Sequence, residues 1–326
     1  MKRSLKNVAA SVHQRLLNKA RETGRPFNEL LQYYVMERFL YRLSKSSHSD
    51  QFVLKGALML NVWRAPVLRP TRDIDLLGRI ENSIDAIVAI TQEICTQRIE
   101  QPDGVSFDPL SVSGERITED AIYEGLRVRF RGCVGKSEIP MQLDVGFGDK
   151  ITPSATVMEY PTILGHPAPR LKGYSRETTI AEKLQAMVKL GELNSRMRDF
   201  YDIWLLSQQF DFDGKVMGNA IKKTFSNRRT DISTKPIAFT ESFASDSERQ
   251  RQWAAFLRRS RLDNAPGNFQ QVIETISVFL LPITTALSEG KPFKATWVTQ
   301  GPWQYGAKGS DKQKHTFKKK KKRSLK

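Results

Sequence analysis

The chain has 326 residues, of which 39% are hydrophobic and 27% are charged, and its formal net charge is +17. This apolar fraction is too high for a disordered chain and is sufficient for one large or two moderate hydrophobic cores. Two cysteines, Cys95 and Cys133, are too few for a disulfide framework or a cysteine-based zinc site, which favours a reducing, cytoplasmic compartment. No apolar signal region or membrane-length apolar run is present, so no membrane association is expected.

The positive charge is spread over the whole chain. From Trp303 onward ten basic residues accompany one acidic residue, so about +8 of the charge belongs to residues 1–302. A basic body favours polyanionic partners, and nucleic acid is the leading class among them.

Apolar residues at helical spacing predict two helices at the N-terminus. The first ends at the turn Gly24-Arg25-Pro26, and the second runs from Phe27 to about Leu43. Two interpretations are open for this segment, residues 1–48. The helices either pack on the core of the protein or form a helix-turn-helix that binds nucleic acid without catalysis.

The next segment, residues 49–170, mixes strands and helices. "FVLKGALML" predicts a short strand, a glycine turn and a helix, "RDIDLLGRI" a strand, and "SIDAIVAITQEICTQ" an amphipathic helix. "GLRVRFRGCVG" and "IPMQLDVGFGD" alternate with a period of two, as strands do. This order predicts an α+β or α/β core, with a mixed sheet flanked by helices, and we take α+β as the fold class.

The C-terminal half, residues 171–290, predicts a helical bundle. Four stretches have helical periodicity, beginning near "TIAEKLQAM", "RMRDFYDI", "DGKVMGNAI" and "NFQQVIETI". After residue 290 the periodicity is lost, and "KHTFKKKKKRSLK" is a run of like charge. Residues 291–326 are therefore predicted to form a basic, flexible tail.

Three acids on two predicted strands are the candidate metal ligands. Asp73 and Asp75 alternate with Ile74, so both carboxylates point to one face of the strand. A divalent cation such as Mg²⁺ would remove their repulsion, although an ordinary polar strand face can also carry two acids. If the strand that contains Asp144 is a neighbour, three acids could hold one or two metal ions for phosphoryl or nucleotidyl transfer. Asp144 could instead cap the following turn.

Cationic residues around these acids fit a phosphate-bearing substrate. Lys55 and Gly56 lie at a predicted strand-to-helix turn, where the backbone can approach a phosphate closely. Lys183 lies within an apolar helical pattern and could neutralise a triphosphate, or it could be an ordinary surface lysine. Asp199 and Asp202 are three residues apart on the next helix and share one face.

The ordered set "LKGALML", "RPTRDIDLL", "LDVGFGD", "IAEKLQAM" and "RMRDFYDI" resembles the AbiEii/MenT-type nucleotidyltransferase toxins. These toxins belong to the polymerase-β-like nucleotidyltransferase superfamily. The resemblance covers about residues 27 to 210 and implies a polymerase-β-like core with a C-terminal helical bundle. It departs from the superfamily at Gly56-Ala57, where a hydroxyl residue usually follows the glycine.

The resemblance implies transfer of a nucleoside monophosphate from an NTP, with Mg²⁺ or Mn²⁺ as cofactor. The acceptor would be RNA, in particular the 3′ acceptor end of tRNA, and the protein would be the toxin of a bacterial toxin–antitoxin or phage-defence system. A cognate antitoxin encoded nearby would be a partner, and whether it binds this chain directly stays open.

The resemblance also implies a role for each motif residue. Asp73 and Asp75 look like metal ligands, with Asp144 as the third acid, and Lys183 looks like the catalytic or nucleotide-contacting lysine. Asp202, with Asp199, looks like the last acid of the pattern.

Two arginines beside the acids complete the candidate nucleotide site. Arg69 and Arg72 could contact phosphate, or pair with the acids when no metal is bound. The set expected to bind the nucleotide is therefore Lys55, Gly56, Arg72 and Lys183.

Two other classes of function compete with nucleotidyl transfer. A helix-turn-helix regulator would bind DNA without using the acids. A glycosyltransferase would also use an Asp-x-Asp pair to hold a metal and a nucleotide-sugar, but the lysine helix and "RMRDFYDI" do not support it.

Overall fold

The computed structural model describes residues 7–65, 69–119 and 123–305. The C-terminal lysine run and residues 66–68, just before the acidic strand, lie outside the described residues. The elements of the N-terminal half follow in chain order: α1 Val8–Thr23, α2 Phe27–Lys45, β1 Phe52–Lys55, α3 Leu58–Val62, β2 Asp73–Gly78, α4 Ile84–Thr96, β3 Val105–Glu119, β4 Tyr123–Val134, β5 Ser137–Phe147, β6 Thr156–Glu159 and β7 Arg170–Gly173.

Strands β1 to β7 form one mixed sheet in the order β3-β4-β5-β2-β1-β7-β6. Strand β2 lies at its centre, parallel to β5 and antiparallel to β1. The predicted α+β core, a mixed sheet flanked by helices, is confirmed. The long strand β3 and the short strands β6 and β7 were not predicted from the sequence.

The period-two pattern of β2 divides its residues between two faces. Ile74 and Leu76 are fully buried on the face that α2 and α4 cover, together with apolar residues of β4 and β5. Asp73 and Asp75 point to the other face and are half-buried. The apolar residues fix the register of the strand, because a slip by one residue would place both carboxylates in this core.

Helix α2 packs into the core and does not act as a free recognition helix. Every residue from Leu30 to Leu43 except Gln32 is buried. Two of its arginines form buried ion pairs with Asp103, at 3.2 Å from Arg38 and 2.8 Å from Arg42. A helix buried in this way cannot enter a DNA groove, so the helix-turn-helix interpretation of this segment is wrong.

A second hydrophobic core holds the C-terminal helices. Its elements in chain order are α5 Arg176–Leu190, α6 Met197–Gln209, β8 Phe212–Asp213, α7 Gly214–Asn227, α8 Glu241–Ala244, α9 Ser247–Ser260, α10 Phe269–Ser288, β9 Thr296–Trp297 and β10 Trp303–Gln304. Among the described residues, α10 is the one helix that is long and apolar enough to cross a membrane. Its Phe269, Ile276 and Phe279 are fully buried within this core, as in the core helix of a globular domain.

The sequence predicts a flexible tail from residue 291, but residues 291–305 pack on the helical domain. Trp297 and Trp303 are buried, and the ring of Trp303 stacks on Phe279 with 5.7 Å between centroids. Their indole N–H groups donate to the carbonyl oxygens of Ser207 and Phe279, each at 2.8 Å. Strands β8, β9 and β10 form a small sheet there, so this core extends beyond the predicted boundary at residue 290.

Candidate active site

The sheet brings the three predicted acids together. Strands β2 and β5 pair in parallel with Asp75 opposite Asp144, and Asp73 lies two residues before Asp75 on the same face. Oxygens of the three carboxylates lie within 4.8 Å of one another. Hard oxygen donors at this spacing suit Mg²⁺ or Mn²⁺ and do not suit a soft metal. This acid triad, Asp73, Asp75 and Asp144, therefore fits the expected cofactor.

Arg127 of β4 neutralises one member of the triad. Its Nε and Nη2 donate to the two oxygens of Asp144 at 2.8 and 2.7 Å, which is a bidentate ion pair. The hydrogen bond to Asp144 raises the pKa of Arg127, so the guanidinium group stays charged. The hydroxyl of Thr71 donates to Asp73. A metal ion bound by all three acids would have to compete with Arg127 for Asp144.

Gly56 lets the backbone of the β1–α3 turn lie directly against Asp75. Its φ of +68° is in the left-handed region, and a Cβ placed there would be 1.9 Å from Oδ2 of Asp75. The adjacent Lys55 lines the same cavity, and its Nζ is 3.7 Å from Oδ2 of Asp149. Both residues are near the acids, as expected, and the chain has room for glycine alone at position 56.

Lys183 of α5 is held by two carboxylates of α6. Its Nζ is 2.5 Å from Oδ1 of Asp199 and 2.9 Å from Oδ2 of Asp202. Burial alone would lower the pKa of Lys183, but these two carboxylates outweigh it and raise the pKa, so the side chain stays charged. Lys183 therefore presents a fixed ammonium in the wall of the cavity, and its contacts are with α6 and not with the acid triad.

Asp202 of α6 links the segment before β2 to the C-terminal helices through ion pairs. Arg69 binds both of its oxygens, at 2.7 and 2.9 Å, and the carboxylate is 3% exposed. Burial alone would raise the pKa of Asp202, but the charges of Arg69 and Lys183 lower it to about 2. Asp202 does not line the cavity, whereas Asp199 does. Of the two alternatives for Arg69, pairing with the triad is wrong, because its partner is Asp202, whereas contact with phosphate stays a prediction.

One cavity of about 590 Å³ contains both groups of residues. The acid triad lies on the sheet side, and Lys183 with Asp199 lies on the helical side. Among the described residues, seven basic and five acidic side chains line it: Lys55, Arg69, Arg127, Lys183, Arg196, Arg198 and Arg228, with Asp73, Asp75, Asp144, Glu182 and Asp199. Clustered acids opposite a basic wall suit a metal ion that carries a polyphosphate.

Two residues of this cavity, Arg127 and Arg228, were not predicted from the sequence, and one predicted residue, Arg72, lies elsewhere. Arg127 had a weak signal, since it alternates with buried residues of "GLRVRF". Arg228 at the end of α7 had none; its Nη2 is 2.9 Å from Asp149 and 3.3 Å from Glu182. Burial, with the charge of Asp149, raises the pKa of Glu182. The exposed Arg72, expected to bind the nucleotide, lines a neighbouring cavity instead.

Comparisons with known proteins identify the family of this chain. The family model of the nucleotidyl transferase AbiEii toxin, from type IV toxin–antitoxin systems, matches residues 38–275. No curated protein matches the chain. Two solved structures from Helicobacter pylori are similar: a candidate nucleotidyltransferase (14% identity, TM-score 0.40) and JHP933 (13% identity, TM-score 0.41). Each similarity covers 80% of this chain, with 95% and 92% of the other chain respectively. Because the family model spans most of the sequence, the chain belongs to the AbiEii nucleotidyl transferase toxin family.

Proposed function

We propose that the protein transfers a nucleoside monophosphate from an NTP to the 3′ end of an RNA, with tRNA as the expected acceptor. The observation that carries this proposal is the acid triad on two adjacent parallel strands, in one cavity with a wall of fixed cations. Carboxylates alone would repel a triphosphate. Carboxylates that hold a divalent metal, opposite lysine and arginine, would bind one.

The triad would hold the metal. Asp73 and Asp75 would ligate it through their carboxylate oxygens, and Asp144 would join them once Arg127 exchanges Asp144 for a phosphate oxygen. The metal, Mg²⁺ or Mn²⁺, would neutralise charge on the triphosphate and lower the pKa of the attacking hydroxyl. Lys183, fixed by Asp199 and Asp202, would contact the phosphates from the opposite wall.

The reaction is an in-line displacement at the α-phosphorus. The ribose 3′ oxygen of the acceptor forms a bond to this phosphorus, and the bond to the bridging oxygen of the pyrophosphate breaks. Pyrophosphate leaves with the bonding electron pair, and the hydroxyl proton passes to a carboxylate of the triad. Lys55 and the backbone at Gly56, on the floor of the same cavity, are in position to contact the nucleotide phosphates.

Labelling of total RNA with each α-labelled NTP, with Mg²⁺ and with EDTA, tests the proposed function. We expect the wild-type protein to incorporate label with Mg²⁺ and not with EDTA. Incorporation should fall by more than about 100-fold for Asp73→Asn and for Lys183→Met. The exposed Asp85→Asn on α4 and Lys189→Met on α5 are matched controls and should keep wild-type labelling. Wild-type labelling by either active-site variant would refute the proposal. Labelling with UDP-sugars instead of NTPs would point to glycosyl transfer.

As a member of a toxin family, the protein is expected to inhibit growth through this reaction in the cytoplasm. Its cognate antitoxin would counteract it. Growth on induction of the wild-type protein, compared with Asp73→Asn, tests whether the triad is needed for toxicity. Equal growth inhibition by the two proteins would separate toxicity from nucleotidyl transfer.

A further inference from the structure

A second cavity of about 920 Å³ adjoins the active-site cavity. It lies between the start of α2, the first half of β5 and the end of α9, and no residue of the acid triad lines it. The two cavities share Thr71, whose hydroxyl donates to Asp73. We call this second cavity the side groove. A ligand bound in it could extend directly to the acid triad.

The side groove combines an apolar lining with a basic rim. Apolar side chains from α2 and β5 line it: Phe27, Leu31, Ile139 and Met141. Four exposed arginines surround them: Arg72, Arg129, Arg259 and Arg261. Two glutamates, Glu29 and Glu138, also line it, so the arginines outnumber the acids. Glu29 is already neutralised, since Arg25 lies 2.7 Å from it.

Three of the rim arginines are available to a ligand. Within residues 7–65, 69–119 and 123–305, the guanidinium groups of Arg72, Arg259 and Arg261 have no hydrogen bond or ion pair. The fourth, Arg129, pairs with Glu115 at 2.6 Å, but both side chains are about half exposed. An exposed pair of this kind is weak and can exchange for a phosphate. Guanidinium groups bind phosphate in a bidentate manner.

The basic surface is continuous between the groove and the active site. A third cavity of about 500 Å³ shares Arg196 and Arg198 with the active-site cavity and Arg259 with the side groove. Arg198 and Arg259 are exposed. A polyanion could therefore contact arginines along the whole path from the groove to the acid triad.

We propose that the side groove binds the last, single-stranded nucleotides at the 3′ end of the acceptor RNA. This inference rests on the proposed nucleotidyl transfer and assigns the acceptor side of the same site. The phosphates would lie on the arginine rim and the unpaired bases on the apolar lining. A duplex keeps its bases stacked inside and cannot place them on the lining, so it would gain little from the arginines that surround the lining. The concave apolar lining thus selects a single strand.

Binding of two fluorescent RNA hairpins tests the proposal, one with a short single-stranded 3′ extension and one blunt. We expect Arg259→Ala/Arg261→Ala to bind the extended hairpin about tenfold more weakly than wild type. Its plot of log affinity against log salt should become shallower by about 1.4, for two lost phosphate contacts to a single strand. Affinity for the blunt hairpin should change little. The control Arg251→Ala, an exposed arginine of the same helix outside the groove, should match wild type.

Three results would overturn the groove assignment. The first is wild-type affinity of the double variant for the extended hairpin. The second is an equal loss for both hairpins, which would assign the rim to a duplex. Loss of binding to a partner protein with unchanged RNA binding would likewise assign the groove to that partner and overturn the proposal.

Steady-state labelling separates failure of the groove from failure of the proposed function. If both hold, the double variant raises the KM for RNA about tenfold and leaves kcat and the KM for NTP unchanged. If the double variant labels RNA with an unchanged KM for RNA, the assignment of the groove fails and the proposed function stands. If wild type labels no RNA with any NTP, the proposed function fails, whereas selective loss of binding to the extended hairpin would still support the groove.

Discussion

Replacement of Gly56 by alanine tests the close contact between the β1–α3 turn and the acid triad. The chain offers a matched control, because Gly24 has a φ of +69° and Gly56 has a φ of +68°. The left-handed conformation costs a residue with a Cβ about 1–2 kcal/mol, and both variants carry this cost. The two sites differ in their surroundings: a Cβ at Gly24 has no heavy atom within 4 Å.

A Cβ at Gly56 would lie 1.9 Å from Oδ2, 2.6 Å from Cγ and 2.8 Å from Cβ of Asp75. Rotation of the carboxylate cannot relieve the last contact, because the Cβ of Asp75 is fixed by a strand paired on both sides. The turn or the strand must shift, and overpacking of this kind costs about 1–3 kcal/mol. We therefore expect a loss in unfolding free energy of about 1–2 kcal/mol for Gly24→Ala and about 2–5 kcal/mol for Gly56→Ala.

Urea unfolding measures the two stabilities, and labelled-NTP incorporation measures the function. Gly24→Ala should keep wild-type incorporation. Gly56→Ala should lose about 100-fold, since a displacement of about 1 Å at a reacting group costs that much. Its affinity for Mn²⁺ should fall as well, because Asp75 moves relative to Asp73. The reasoning is refuted if Gly56→Ala is as stable and as active as Gly24→Ala.

Three further predictions concern the charged groups. Burial would raise the pKa of Asp202, but the charges and hydrogen bonds of Arg69 and Lys183 together lower it to about 2, below its ordinary 3.8, which stabilises the fold by about 2 kcal/mol above pH 4. This stabilisation should disappear as the pH falls toward 2. Arg69→Leu should lower the unfolding free energy by about 3 kcal/mol at pH 7 and make the loss of stability at acidic pH smaller. Urea titrations that show the same pH dependence of stability as wild type would contradict this prediction. Arg127→Met should free Asp144 and raise the Mn²⁺ affinity measured by calorimetry about tenfold, while kcat falls; unchanged affinity would exclude Asp144 as a ligand. In thermal denaturation without metal, Asp73→Asn should not destabilise the protein, because it removes one of three like charges. Added Mn²⁺ should stabilise the wild-type protein and not the variant. Lower stability of the variant without metal would contradict this prediction.

The local sequence pattern contains enough information to find two of the three acids of the triad. Asp73 and Asp75 lie in a strand whose other face is wholly apolar, so the direction of their side chains follows from the period of two. That β5 is the neighbour of β2 does not follow from any local pattern. The family resemblance supplied it, and the structure shows Asp144 directly opposite Asp75.

The ion pairs of the site could not be predicted, because each joins residues far apart in the chain. Arg69 and Asp202 are 133 positions apart, and nothing near either residue indicates its partner. The same reason explains the error at residue 291. The segment has few apolar residues and no helical period, yet its two tryptophans bind to two preceding helices, Trp297 to α6 and Trp303 to α10. Long-range contacts of single large side chains leave no periodic signal.

The two parts of the chain supply different charges to one site, and their junction sets the geometry. The sheet provides the acids, whereas Lys183 reaches the cavity from α5, in the helical domain. The bidentate pair of Arg69 with Asp202 joins the segment before β2 to α6, and Asp202 in turn holds Lys183. The distance between the proposed metal ligands and the proposed catalytic lysine is therefore fixed by one buried carboxylate that lines no part of the cavity. A change at Asp202 should thus alter catalysis through position, lowering kcat while the acid triad still binds the metal.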